Sequence, residues 1–445
     1  MANKLWDKGF SIDAKIEKFT VGHDREMDLY LAPFDVLGTM AHITMLEKVG
    51  LLGSVELPVL LAELRKIYRE AAEGRFTIDP DVEDVHSQVE FLLTRALGDL
   101  GKKVHTGRSR NDQVMVDVKL FSRARIRRTV EKMQHLFAVL QQGSERYKNV
   151  LMPGYTHLQV AMPSSFGLWM GAYAESLTDD MELMQAAWKV ANRNPLGAAA
   201  GYGSSAPLDR SMTTRLLGFD GLNYNSVYAQ MGRGKTERAI SFAYASLAET
   251  IGRLAMDACL YNSQNFGFIK LPDSLTTGSS IMPHKKNPDV FELIRAHCNK
   301  IQGVPNSIRL ITGNLPSGYF RDMQLIKEVF LPLFDEMDEV LDITAYAIEN
   351  MKVTEGLMED PKYKLAFTVE EVNHLVSQGV PFRDAYRQVG AAVQNGTFAY
   401  HGTLHHTHEG SLGNLCNDAI ASRMEAIVSG FTFARVEEAE RSLLG

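Results

Sequence analysis

The chain has 445 residues, 45% of them hydrophobic and 23% charged, with a net charge of −7. That length exceeds what one hydrophobic core supports, and the interspersed charges exclude the basic face that nucleic-acid binding needs. Three scattered cysteines, Cys259, Cys298 and Cys416, exclude a disulfide framework, show no metal spacing and fit a reducing, cytoplasmic setting. The segment Met1-Ala2-Asn3-Lys4-Leu5-Trp6-Asp7 lacks the apolar core of a signal peptide, and no run approaches the ~18 apolar residues of a membrane helix.

In chain order, the first chemistry-bearing residue is His86, in Asp84-Val85-His86-Ser87-Gln88. The block His105-Thr106-Gly107-Arg108-Ser109-Arg110-Asn111-Asp112-Gln113 follows. Ser109 with Asp112 three residues on predicts a capping box, which puts Arg110 and Asn111 in a first helical turn beside bare N–H groups. Ile126, Val130, Met133, Phe137 and Leu140 continue as a helical seam. Pro153-Gly154-Tyr155-Thr156-His157-Leu158-Gln159 reads as turn-rich and runs to Pro163, the expected first residue of a helix over 166–188. An imidazole there, at His157, is the usual proton carrier near neutral pH.

The Gly-rich piece 197–205 reads as a loop, since no parallel strand precedes it. Residues 222–228 are the one plausible strand, and the following Ala229-Gln230-Met231-Gly232-Arg233-Gly234-Lys235-Thr236 lacks only the first glycine of a phosphate-binding loop. Without β/α alternation after it, a loop before a helix over 240–261 is the better reading. Next comes Thr277-Gly278-Ser279-Ser280-Ile281-Met282-Pro283-His284-Lys285-Lys286-Asn287-Pro288-Asp289, where hydroxyls, ammonium groups and an amide share a loop running into a helix. Asn287 is the expected N-cap and Pro288 the first helical residue, with Val290, Leu293, Ile294 and Ile301 as the apolar stripe. A helix N-terminus favours anions, so this loop suits a negatively charged intermediate.

The seam Met323, Ile326, Phe330, Leu333, Met337, Val340, Thr344, Ala347 and Met351 is the last long one, and Pro332 should kink or interrupt it. Four such helices predict a mainly α protein with a central long-helix bundle, and seams rich in further apolar residues predict a homo-oligomer. Breaks near residues 107 and 355 divide the chain into 1–107, 108–355 and 356–445. His401, His405, His406 and His408 cluster in a Gly/Thr-rich segment that offers little to fix them around a metal.

Three of these blocks, 277–289, 105–113 and 153–159, together resemble the argininosuccinate lyases of the fumarase/aspartase superfamily, and the likeness runs from Leu5-Trp6 to Pro381-Phe382-Arg383. The resemblance implies a three-domain fumarase/aspartase-like fold and β-elimination of argininosuccinate to arginine and fumarate, the last step of arginine biosynthesis. It implies no cofactor and no metal, and a homotetramer whose active sites draw on several subunits, with no nucleic-acid or membrane partner. It gives Ser279 the proton abstraction, Lys285 and Asn287 the stabilisation of the charge that develops, His157 the acid/base role, and Glu292 the orientation of that imidazole. Ser109, Arg110, Asn111 and Thr156 would hold carboxylates, and His86, Tyr319, Gln324 and Lys327 would line the substrate site. Adenylosuccinate lyase is the alternative within the superfamily, and a non-enzymatic protein on the same fold, as lens crystallins are, is the alternative outside catalysis.

The chain departs from the family's pattern at Thr236-Glu237-Arg238-Ala239, after a short insertion with Gly232-Arg233-Gly234. It is also short near Gly22-His23-Asp24, where a serine contact has no counterpart. A third departure is His284, where a glutamine is common.

Overall fold

Each predicted seam buries as a stripe in one shared core. Ile126, Val130, Met133 and Leu140 meet Met170, Leu177, Met184 and Trp188, then Ile240, Tyr244, Leu247 and Ile251, then Phe330, Leu333, Met337 and Val340. These residues lie on the helices Arg110–Arg146, Phe166–Ala191, Lys235–Asn262 and Ile326–Asn350, joined by Asp289–Gln302. The computed structural model describes residues 13–400 and 402–445. The readings at 1–7 and at His401 therefore lie outside the described residues. The protein is mainly α, with short two-stranded pairings at the helix ends. No single helix among the described residues is long and apolar enough to cross a membrane.

A second core joins Ala32–Lys48, Glu56–Ala72 and Val85–Leu97, through Leu37, Met40, Leu60, Leu64, Val89 and Leu93. A small third one gathers Val372, Ala385, Val389 and Phe398. The last two helices turn back: Asn417–Val428 packs on Phe166–Ala191, and Phe433–Leu444 on Arg210–Leu216 and Ala32–Lys48.

The first bundle helix begins where its capping box places it. Ser109 N donates to Asp112 Oδ1 at 2.8 Å, and Asn111 N donates to Ser109 Oγ at 3.3 Å. Asp112 Oδ2 also accepts from Gly197 N and Ala199 N, which ties the Gly-rich loop to the helix start.

Two local expectations are corrected, and of the kink or break expected at Pro332 only the break is ruled out. Residues 151–165 form an antiparallel hairpin, Leu151–Thr156 against Gln159–Ser165. Pro163 is in its second strand, and Ser165 caps the helix by accepting from Leu168 N at 3.0 Å. Within 222–228, strand pairing stops at Leu222, because Asn225 accepts from Tyr228 N at 3.0 Å and starts the helix Ser226–Met231. Pro332 does not interrupt Ile326–Asn350. It removes one backbone donor, and the buried Phe330, Leu331, Leu333 and Phe334 around it outweigh that loss.

Two bundle helices touch closely at Gly167, where an added Cβ would lie 2.5 Å from Ser144 O and 2.5 Å from Lys148 Cα. Both contacts are backbone and cannot swing away. Gly167→Ala is expected to destabilise the fold by about 3 kcal/mol, read as a lowered urea midpoint with an unchanged slope.

Candidate active site

A cavity of about 250 Å³ opens between the first two cores, lined by Asp24, Glu83, Asp84, His86, Arg110, Asn111, Val114, Tyr319, Arg321, Gln324 and Lys327. Four chain segments meet there, each held by local chemistry. Asp84 caps the helix Val85–Leu97 by accepting from Ser87 N at 2.8 Å, and its other oxygen accepts from Arg110 Nη1 at 2.7 Å. Glu83 bridges Arg110 at 3.1 Å and Arg321 at 2.7 Å. Gln324 donates to Thr20 O and Val21 O, both at 3.0 Å, so its carboxamide ties the turn Arg321–Leu325 to the N-terminal segment.

The cavity holds charge of both signs in a dry wall. Lys327 is buried and donates to Asp24 at 2.7 Å and Asp28 at 2.5 Å. Burial works against its charge, yet the two carboxylates push its pKa upward. One ammonium cannot serve both acids fully, so burial and the neighbouring Asp28 push Asp24 up to about 6. Burial would raise Asp84 too, but His86, Arg110 and the Ser87 N–H outweigh it and hold Asp84 down at about 2. His86 is desolvated as well, and Asp35, Asp117 and Asp84 nevertheless carry it up to about 9.

Of the residues singled out by the sequence, Arg110, Asn111, His86, Tyr319, Gln324 and Lys327 share this cavity. Ser109 sits beside it as the cap of the Arg110–Arg146 helix. Thr156, His157, Ser279, Lys285, Asn287 and Glu292 do not line it. Asp24, Glu83 and Arg321 escaped sequence reasoning. For Glu83 the available signal was an acid directly before a capping Asp. Asp24 stands in the segment that is short relative to the family pattern, and it occupies Lys327.

His157 projects from the tip of the hairpin. It and Leu158 form the two-residue turn, with φ of 54° and 58°, the backbone of a type I′ connection. Both are exposed, as is Thr156. The hairpin thus carries an imidazole at its exposed tip.

The loop with Ser279 is closed at its base by Thr277–Gly278 pairing with Lys286–Asn287. Ser279 Oγ accepts from Ile281 N at 3.3 Å and from Met282 N at 3.1 Å, so two backbone amides face that oxygen. Lys286 pairs with Asp273, and Lys285 is exposed. The helix begins at Asp289 with Pro288 at its cap position, so the expected N-cap role of Asn287 is corrected. Strand pairing has taken Asn287 instead, and its Nδ2 makes only a 3.5 Å contact to Thr277 Oγ1. The carboxamide is therefore not consumed by capping. Glu292 lies exposed in the first turn of this helix.

The histidine-rich segment is built otherwise: His406 Nε2 meets Glu370 at 3.0 Å and its ring stacks on His408. All three cysteines are free.

Residues 11–303 match the family described as Lyase. The chain is similar to the argininosuccinate lyase of Phocaeicola vulgatus, 63% identical over 445 residues and 100% of both chains. It is 64% identical to that of Bacteroides thetaiotaomicron over the same full lengths. In fold it is similar to an EDDS lyase solved with formate, with a TM-score of 0.78 at 20% identity, over 98% of this chain and 95% of that one.

Proposed function

The chain belongs to the argininosuccinate lyase family, and from that premise we propose that it cleaves argininosuccinate to arginine and fumarate by β-elimination, without a cofactor. The observation that carries this reading is identity of 63–64% over the entire length of its relatives. The cavity supports it, since a substrate with three carboxylates, a guanidinium and an ammonium needs a wall of mixed sign. Arg110 and His86 suit the carboxylates, and the Glu83 and Asp24 side suits the amino end.

Such a reaction removes a proton from the carbon next to a carboxylate, which creates a doubly negative aci-carboxylate. Fixed donors aimed at that charge are the main requirement. Ser279, as an alkoxide held by the Ile281 and Met282 amides and Lys285, takes the proton. Electrons from the broken C–H bond form the C=C bond of fumarate as the C–N bond breaks. The departing guanidino nitrogen receives a proton from His157 or a water it orients, with Glu292 setting the imidazole's direction. Lys285 and Asn287 hold the carboxylate that bears the charge, and Thr156, Ser109 and Asn111 hold the others.

In this reading the hairpin and the Ser279 loop reach the cavity of other copies in a homotetramer. Exposed apolar side chains on the bundle helices support association: Phe242 at 58%, Leu293 at 60% and Tyr346 at 53%. The free cysteines support a reducing, cytoplasmic setting.

Fumarate release, followed by its ultraviolet absorbance, tests the substrate. Argininosuccinate is expected to be turned over at least about a thousand-fold faster than adenylosuccinate, because a nucleotide lacks the groups that Glu83 and Asp24 would bind. Preference for adenylosuccinate would reject the reading, and silence with both would favour a non-enzymatic role.

A further inference from the structure

Behind the cavity sits a trio of ionisable side chains that the elimination steps do not use in full: Asp35 on Ala32–Lys48, His86 on Val85–Leu97 and Asp117 on Arg110–Arg146. Their side chains are 0%, 4% and 0% exposed. His86 Nδ1 lies 2.6 Å from Asp35 Oδ1 and 3.5 Å from Asp117 Oδ2. The second oxygen of Asp35 and both oxygens of Asp117 have no hydrogen-bond partner among the described residues. Two carboxylates buried beside one imidazole are costly to keep.

The geometry identifies what holds them. Ligands around a tetrahedral ion at ~2.0–2.1 Å stand about 3.3 Å apart, whereas 2.6 Å is the spacing of a proton-bridged, charge-assisted pair. With Nδ1 committed to Asp35, the ring's Nε2 takes no hydrogen bond among the described residues, and His86 borders the cavity. This is the arrangement by which a carboxylate fixes an imidazole's direction and tautomer.

We infer that Asp35, backed by Asp117, is a positioning residue that holds His86 as a fixed cation with its Nε2–H turned into the cavity toward a carboxylate of the substrate. This rests on the lyase reading. Asp117 stands behind Asp35 as the more distant carboxylate: burial and the adjacent Asp35 push its carboxyl well upward, and the charge of His86 works against that rise. Other charges bear on the ring from every side. Asp84 lies on its own helix, His105 and Arg108 in the turn before the long helix, and Arg110 on that helix. Asp24 and Asp28 come from the N-terminal segment with Lys327 opposite. Asp35 is the group in hydrogen-bond contact.

The test is the pH dependence of kcat/KM for argininosuccinate in Asp35→Asn, Asp117→Asn, His86→Gln and the Asp35→Asn/His86→Gln double variant, each checked for folding by thermal melting. Burial lowers the His86 pKa, and Asp35 is the first group opposing that. Removing its charge therefore makes the ring neutral at pH 8 and charged again as the pH falls toward 6. Asp35→Asn is expected to lose about ten-fold at pH 8, the worth of one charge-assisted hydrogen bond, and much less at pH 6. The double variant should lose no more than His86→Gln. Asp117→Asn, which keeps the Nδ1 bond, should shift in the same direction by a smaller factor, and it remains informative if Asp35→Asn fails to fold. Profiles of both single variants that parallel the unmodified enzyme, or losses that add in the double variant, overturn the inference. An unmodified protein that releases no fumarate overturns the lyase reading as well, so the two failures are distinct.

Discussion

Ser279→Ala is expected to lower kcat by at least about three orders of magnitude, because it removes the atom that accepts the proton in the step creating the aci-carboxylate. The fold should be unaffected. Ser279 sits in a loop closed by its own strand pairing, and the Ile281 and Met282 amides that it accepts from can turn to water. His157→Asn should lose a factor of about a hundred to a thousand, since it removes a proton donor at an exposed hairpin tip and no packing contact. The two inactive proteins make a decisive pair. If each site takes His157 and Ser279 from different subunits, random exchange in a 1:1 mixture leaves both residues intact at about one site in four. Recovery of about a quarter of the unmodified activity is therefore expected after dissociation and reassembly. No recovery, with hybrids demonstrated by mass, would place both residues in one subunit's site and reject sharing.

What was legible in the sequence is what depends on near neighbours. Ser109 and Asp112 are three residues apart, so their reciprocal capping could be read directly, and it placed Arg110 and Asn111 at the cavity. The bundle was legible because each seam repeats at helical spacing over many turns. The hairpin carrying His157 was not: Pro153, Gly154 and Pro163 break the alternation of a strand, and His157-Leu158 lacks the Asn-Gly chemistry that usually announces its turn. Asn287 was misread for a related reason. A local rule made it a cap, while pairing with Thr277–Gly278, across the loop, made it part of a strand. The buried ions were hidden more deeply. Lys327 meets Asp24 and Asp28 across some three hundred residues of sequence, and nothing in periodicity marks a lysine for burial.

That lysine carries the largest expected effect on stability. Lys327→Met should destabilise the folded protein by about 3–5 kcal/mol at pH 8, because it leaves two buried carboxylates without their counter-ion. The side chains of Asp24 and Asp28 are only 12% and 0% exposed, so water cannot replace the ammonium. The sign of the pH dependence follows from the shifts. The pKa of Lys327 is raised in the folded state, so its contribution is complete below the ordinary lysine value and is lost only as the pH climbs through the raised one. Asp24 is pushed up to about 6, so in the folded protein it takes up a proton as the pH falls through that value. Without the ammonium, which holds Asp24 down, that carboxyl rises further and protonates earlier on acidification. The deficit of the variant should therefore be greatest at pH 8 and shrink markedly by pH 5, measured from urea midpoints at the two values. A deficit that is the same at both would assign the loss to packing around the side chain, and the ion trio would not be what joins the N-terminal segment to the bundle.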